Sequence, residues 1–268
     1  ANQEINIRWK TIVTNSFYMK NGTRQGSLLS PYLFCIYMRK ITRDIINSGI
    51  GCHIGGMPVN ILLYADDIVV LAPSWFAQQS LLNLCLKSIT HLGMKFNACK
   101  SVTMIFEPRK AASRVNYCFP KFTIGGAALE IVNKCKYLGF IVTSSADDNA
   151  DILHQMSLLY ARSNILIRKF GRCSRNVKLC LFRAHCLSFY GAALWNSYNV
   201  TVLHKLEAAC VKCTKMFFNF DRRASVTAMF VELGLPSFNT ILHNARVRFN
   251  ECVAVHANRL IRLVSELC

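Results

Sequence analysis

The chain has 268 residues, 52% of them hydrophobic, and carries 32 Lys and Arg against 14 Asp and Glu, a formal charge of +18. That apolar fraction supports a packed core and excludes a disordered chain, and the length allows one large domain or two small ones. So large a positive excess on a globular chain points to a polyanionic partner, nucleic acid ahead of a membrane surface; the bland alternative is a basic solvated surface.

In chain order, Ile5 to Met19 is rich in β-branched and aromatic residues and predicts a strand or hairpin. NGTRQGSLLSP (Asn21–Pro31) reads as a loop, with Ser30-Pro31 opening a helix. Tyr32 to Ile46 has helical spacing, with Leu33, Ile36, Tyr37 and Ile41 expected on one side. After the Gly-punctuated SGIGCHIGGM comes ILLYADDIVVLA (Ile61–Ala72), where two adjacent carboxylates interrupt one of the most apolar stretches of the chain.

Burying two neighbouring carboxylates is costly, because each loses hydration and they repel each other. On a flat strand Asp66 and Asp67 would also point to opposite faces. A hairpin removes both objections: ILLY and IVVLA become its arms, and ADD (Ala65–Asp67) its tip. From Ser74, an N-cap candidate, an amphipathic helix is expected to run to a stop at Gly93. MKFN, SVTMIF and KCKYLGFIVT read as strands.

Beyond about Asp147 the pattern turns helical, and residues 152–206 hold eight Lys or Arg with no Asp or Glu. Helices are expected near 151–170, 175–196, 201–219 and 238–265.

The 13 cysteines follow no disulfide-like rhythm, and Cys35, Cys85, Cys180 and Cys186 sit within apolar patterns, as buried free thiols do. A reducing, intracellular setting (cytoplasmic, nuclear or both) is expected, without secretion. No apolar run approaches the roughly 20 residues of a membrane span. ANQEINIRWK shows no signal-peptide pattern, and a start on Ala suggests a piece of a longer protein. Cys210 and Cys213 form a CxxC, and Cys252 and His256 a CxxxH. The first pair lies on a helical pattern with apolar neighbours, so buried thiols are expected there in place of zinc.

Four of these segments, NGTRQGSLLSPYLF, YADD, LGMKFNACKS and KYLG, stand in the order and rough spacing of the palm motifs of reverse transcriptases. The chain resembles in particular those of non-LTR (LINE-type) retrotransposons, most fully over GIGCHIGGMPVNILLYADDIVVLAPS. The resemblance implies an α+β fold: a partial polymerase palm, an antiparallel sheet with helices, over residues 1–147, then an all-helical thumb-like region over 148–268.

The implied activity is RNA-directed DNA polymerisation, joining a dNTP to the 3′-hydroxyl of a DNA primer on an RNA template with two Mg²⁺ ions. Asp66 would be the direct metal ligand and Asp67 a second or outer one; small Ala65 would admit the primer end. Arg24, Gln25 and Gly26 would meet the incoming nucleotide, Gly26 allowing close backbone approach and Arg24 suiting phosphate. Lys100 would steer or protonate the leaving pyrophosphate, although Cys99 stands where such enzymes often have a second basic residue. Lys136, Tyr137, Leu138 and Gly139 would form the hairpin that grips the primer. Arg168, Lys169 and Arg172, within a wider basic set of Arg162, Arg175, Lys178 and Arg183, would face the template–primer duplex.

The family also uses an earlier aspartate, and the only acid before Gly22 here is Glu4. The expectation is therefore a reverse transcriptase core that polymerises poorly or not at all by itself. The alternatives are a non-catalytic nucleic-acid-binding relic and an unrelated metal-dependent hydrolase. The sequence is silent on oligomeric state.

Overall fold

A computed structural model describes residues 3–19, 26–106 and 120–267. In order, the elements are β1 (Gln3–Ile5), β2 (Arg8–Trp9), β3 (Ile12–Val13), β4 (Phe17–Met19), α1 (Ser30–Asn47), β5 (His53–Ile54), β6 (Met57–Pro58), β7 (Ile61–Tyr64), β8 (Asp67–Val70) and α2 (Trp75–His91). There follow β9 (Val102–Thr103), β10 (Thr123–Ile124), β11 (Ala127–Ala128), β12 (Glu130–Ile131), β13 (Lys134–Tyr137) and β14 (Phe140–Thr143). Six α-helices follow among the described residues: α3 (Asn149–Phe170), α4 (Arg175–Cys186), α5 (Val200–Phe218), α6 (Val226–Leu233), α7 (Phe238–Ala254) and α8 (Arg259–Leu267). The fold is thus mixed helix and strand. Among the described residues the strands pair two at a time, antiparallel except for β9 with β12.

Two compact units are present, and each is described by itself: residues up to 98 with 120–128, and 99–106 with 129–267. In the first, β1 pairs with β4 and encloses the β2–β3 hairpin. Its core lies between α1 and α2, where Met38, Ile41 and Ile45 meet Leu81, Cys85 and Ile89. The buried stripe of α1 differs from expectation: Leu33, Ile36 and Tyr37 are exposed. Phe34, Met38, Ile41 and Ile45 follow i, i+4, i+7, i+11 spacing and face α2, each buried aliphatic side chain contributing about 1.5–3 kcal/mol. Pro31 stands in the first turn of α1, where its missing N–H costs nothing.

The β7–β8 hairpin covers one side of this core with Ile61, Leu63, Ile68 and Val70. Asn60, fully buried, ties the hairpin base to α1 by donating from its amide to the carbonyls of Ile45 at 3.1 Å and Ile50 at 2.8 Å. Ser74 caps α2 by accepting from the Ala77 N–H at 3.3 Å, and Gly93 (φ 70) lets the chain leave its end. MKFN is not the expected strand. Met94 donates its N–H to Ile89, closing the helix end, and Met94 and Phe96 pack on the α1–α2 core. Of SVTMIF, only Val102–Thr103 is strand.

The second unit is built around Trp195, Phe182, Phe217, Leu159 and Leu206, with the rings of Phe182 and Phe217 stacked at 5.8 Å. The helix expected over 175–196 ends at Cys186; a 3-10 turn at Ala192–Leu194 follows Gly191, whose left-handed φ of 78 no continuing helix accommodates. The segment over 238–265 breaks into α7 and α8. A short helix, α6, lies between the segments 201–219 and 238–265, where no helix was expected. Ser225 caps it at one end and Gly234 (φ 59) ends it at the other.

Candidate functional site

The two acidic residues stand where a hairpin puts them. Register runs Ile61↔Val70, Leu62↔Val69, Leu63↔Ile68 and Tyr64↔Asp67, so the loop is only Ala65–Asp66. This corrects the expected three-residue tip: Asp67 belongs to β8, because its pairing with Tyr64 closes the ladder. Opposed residues share a face. Asp67 therefore lies on the outer face with Tyr64 and Leu62, away from the α1–α2 core, while Asp66 occupies the turn. Ala65 sits at φ 50, a left-handed conformation that costs an L-residue about 1–2 kcal/mol.

Both carboxylates are exposed, and among the described residues neither has a hydrogen-bond or ion-pair partner. Such oxygens suit a hard cation like Mg²⁺, which takes few carboxylates and keeps much of its water. Among the described residues no group of three or more His, Cys, Asp or Glu could hold a metal, so the tip fits as part of a ligand set.

Gly26 (φ 79) lies exposed in the turn before α1, and among the described residues a Cβ placed on it would meet nothing within 4 Å. Its backbone is therefore open to close approach. Arg24 and Gln25 lie outside the described residues. Lys100 is exposed at the end of the 3-10 turn Ala98–Lys100.

The KYLG motif forms the β13–β14 hairpin of the second unit, with Leu138 (φ 47) and Gly139 (φ 87) as its two-residue loop. Lys136 and Leu138 are exposed and Tyr137 is half-buried. The hairpin is held from below by Asp151, fully buried, which accepts from the Ile141 N–H at 3.0 Å and from Trp195 Nε1 at 2.8 Å. At the tip, Tyr190 donates its hydroxyl to the Leu138 carbonyl at 2.8 Å. Sequence reasoning missed Asp151 and Tyr190. An aspartate in the first turn of a helix reads as a capping residue, and nothing in FYGAAL signals a contact 52 residues upstream.

The basic stretch divides. Arg168, Lys169 and Arg172 are exposed and, among the described residues, carry no partner. The others are engaged: Arg162 donates to the His185 carbonyl at 3.3 Å, Arg175 to Glu232 at 2.8 Å and Arg183 to the Gly234 carbonyl at 2.8 Å. Lys178 departs most from expectation. It is buried, with Nζ 3.4 Å from the Phe217 carbonyl and 5.5 Å from that ring's centroid, so its stem serves packing.

Cys35 and Cys180 are exposed, contrary to expectation, because the helix faces that carry them point outward. Cys85, Cys186, Cys210 and Cys213 are buried. Burial pushes the thiols of Cys85, Cys186 and Cys210 up to about 12 and raises that of Cys213. In the apolar core of the second unit Cys186, Cys210 and Cys213 pack among Leu206, Phe182 and Phe217. Among the described residues no helix is long and apolar enough to cross a membrane.

Residues 4–142 match the family described as reverse transcriptase (RNA-dependent DNA polymerase). The chain is 29% identical over 137 residues to the Retrovirus-related Pol polyprotein from type-2 retrotransposable element R2DM of Drosophila melanogaster. It is also 29% identical over 139 residues to the corresponding polyprotein from type-1 retrotransposable element R2 of Popillia japonica, and 28% over 127 residues to that of Nasonia vitripennis. The aligned parts are 49%, 49% and 46% of this chain but only 13%, 22% and 12% of those relatives. With the family match spanning half of its length and the YADD carboxylates exposed at a hairpin tip, the chain belongs to the reverse transcriptase family, RNA-directed DNA polymerases, of the LINE-type (non-LTR) retrotransposon kind.

Proposed function

We propose that this chain is the palm (1–147) and thumb-like region (148–268) of an RNA-directed DNA polymerase that extends a DNA primer on an RNA template with dNTPs. The observation that carries the reading is the β7–β8 hairpin, which presents Asp66 and Asp67 exposed and, among the described residues, unpartnered on a tip braced by the α1–α2 core. Asp66 in the turn is the direct ligand for Mg²⁺, and Asp67 on the outer face the second or outer one. The chemistry that bound Mg²⁺ supplies is activation of the primer hydroxyl and neutralisation of charge on the departing pyrophosphate. Ala65, small and at the turn, leaves the primer end room. Arg24, Gln25 and Gly26 serve the incoming nucleotide, Lys100 steers pyrophosphate, and Lys136 to Gly139 meet the primer. Arg168, Lys169 and Arg172 hold duplex phosphates without reading sequence.

Two neighbouring carboxylates on one tip do not bridge two cations from opposite sides, so the chain as it stands binds duplex without extending a primer. The test is primer extension on an RNA template with Mg²⁺. No extension is expected from the chain alone, and extension is expected from a longer form that brings a further carboxylate to the tip. In that longer form Asp66→Asn lowers extension by about 100-fold or more while duplex affinity stays within about twofold, because a metal ligand is lost and no phosphate contact is. Extension by the chain alone would overturn the ligand count, and an active Asp66→Asn enzyme would reduce YADD to a turn.

A further inference from the structure

Two glycines face two aromatic rings across the KYLG hairpin. A Cβ on Gly139 would lie 3.1 Å from Cε1 of Tyr190, and a Cβ on Gly191 would lie 2.7 Å from Cδ2 of Phe140. Each glycine thus makes room for the ring carried beside the other one. Both are left-handed, Gly139 at φ 87 and Gly191 at φ 78, so neither position accepts a side chain without strain. The Tyr190 hydroxyl adds a hydrogen bond of 2.8 Å to the carbonyl of Leu138, itself at φ 47. Leu138 and Gly139 are therefore held from outside their own hairpin, and the holding residue is half-exposed rather than part of the core.

We propose that Tyr190 is a positioning residue for primer binding: by its ring against Gly139 and its hydroxyl on Leu138, it sets the turn conformation that the primer strand meets. The inference rests on the reading of Lys136–Gly139 as the primer-contacting hairpin. A two-residue turn carrying a non-glycine at positive φ has alternatives close in energy, and one tethering hydrogen bond shifts their populations several-fold. Asp151 fixes the hairpin at Ile141, one strand residue beyond Phe140, and leaves the tip to Tyr190.

Tyr190→Phe keeps the ring and removes the tether. In the full chain we expect amide hydrogen exchange of Tyr137 to Phe140 to quicken by about 3- to 10-fold, and affinity for an RNA–DNA duplex with a recessed primer 3′ end to fall by a similar factor, with thermal unfolding unchanged. Lys136→Ala, measured in parallel, tests the underlying reading, since it removes a phosphate contact without touching the tether. Unchanged exchange in Tyr190→Phe overturns the tether. Faster exchange with unchanged duplex affinity, while Lys136→Ala binds more weakly, makes Tyr190 structural only and overturns the positioning role. If Lys136→Ala also binds as tightly as the unaltered chain, the primer reading of the hairpin is what fails, and the inference falls with it.

Discussion

Tyr64 and Asp67 face each other as the last pair of the β7–β8 ladder, which places Asp67 in a strand and leaves Asp66 in the turn. Adjacent in sequence, the two carboxylates are held by different means: Asp67 by strand pairing, Asp66 only by the conformation of a two-residue loop. The apolar arms that make the sequence look hostile to charge are what hold it rigid, since Ile61, Leu63, Ile68 and Val70 bury the opposite face.

The strain at Ala65 (φ 50) makes the turn sensitive to branching. Ala65→Val lowers stability by about 1–2 kcal/mol, because a β-branched residue tolerates positive φ poorly. Ala65→Gly costs nothing or stabilises slightly, its relief of strain offsetting its greater unfolded-state freedom. Urea unfolding midpoints of the two variants decide this; equal losses would place the strain elsewhere.

Replacing Arg168, Lys169 and Arg172 together by Gln weakens duplex binding alike for all sequences. The slope of log affinity against log salt shrinks by about 2 to 3, one counterion-release increment for each lost phosphate contact. Lys178→Met leaves that slope as it was, since Lys178 is buried against Phe217. Fluorescence anisotropy across a KCl series reads both, and an unaltered slope in the triple variant would move the duplex to another face.

Thiol labelling separates the cysteines. Exposed Cys35, Cys99, Cys180 and Cys252 react readily, because the reagent reaches them in the folded chain. Cys85, Cys186 and Cys210, pushed up to about 12 by burial, stay protonated and react only after unfolding. Mass-resolved labelling before and after denaturant gives the answer; rapid native labelling of Cys210 would contradict its burial.

Asp151→Asn destabilises the helical unit by about 1–3 kcal/mol. An amide offers one acceptor oxygen where the carboxylate serves both the Ile141 N–H and Trp195 Nε1, so one buried donor loses its partner. Guanidinium unfolding followed through the near-ultraviolet signal of the core tests this. No change would mean that water replaces the lost acceptor.

Local patterns determined much of what is seen. The apolar runs on either side of ADD read as hairpin arms, Ser74 and Gly93 bound α2, and the acid-free stretch 152–206 declares itself by composition, whereas the pairing of Asp67 with Tyr64 was not legible. YADD and KYLG were legible because a turn imposes its chemistry on a few consecutive residues. Tertiary packing decided what no local pattern contains. Leu33, Ile36 and Tyr37 and the set Met38, Ile41 and Ile45 are equally good helical stripes, and the position of α2 chose between them. Lys178 and Arg168 look alike in sequence, yet one is buried against Phe217 and the other is open, because α4 packs on α5 through the face that carries Lys178. The contact of Tyr190 with Leu138 joins residues 52 apart. Periodicity tells which residues share a face, and only the neighbouring element determines which face is buried and what it touches.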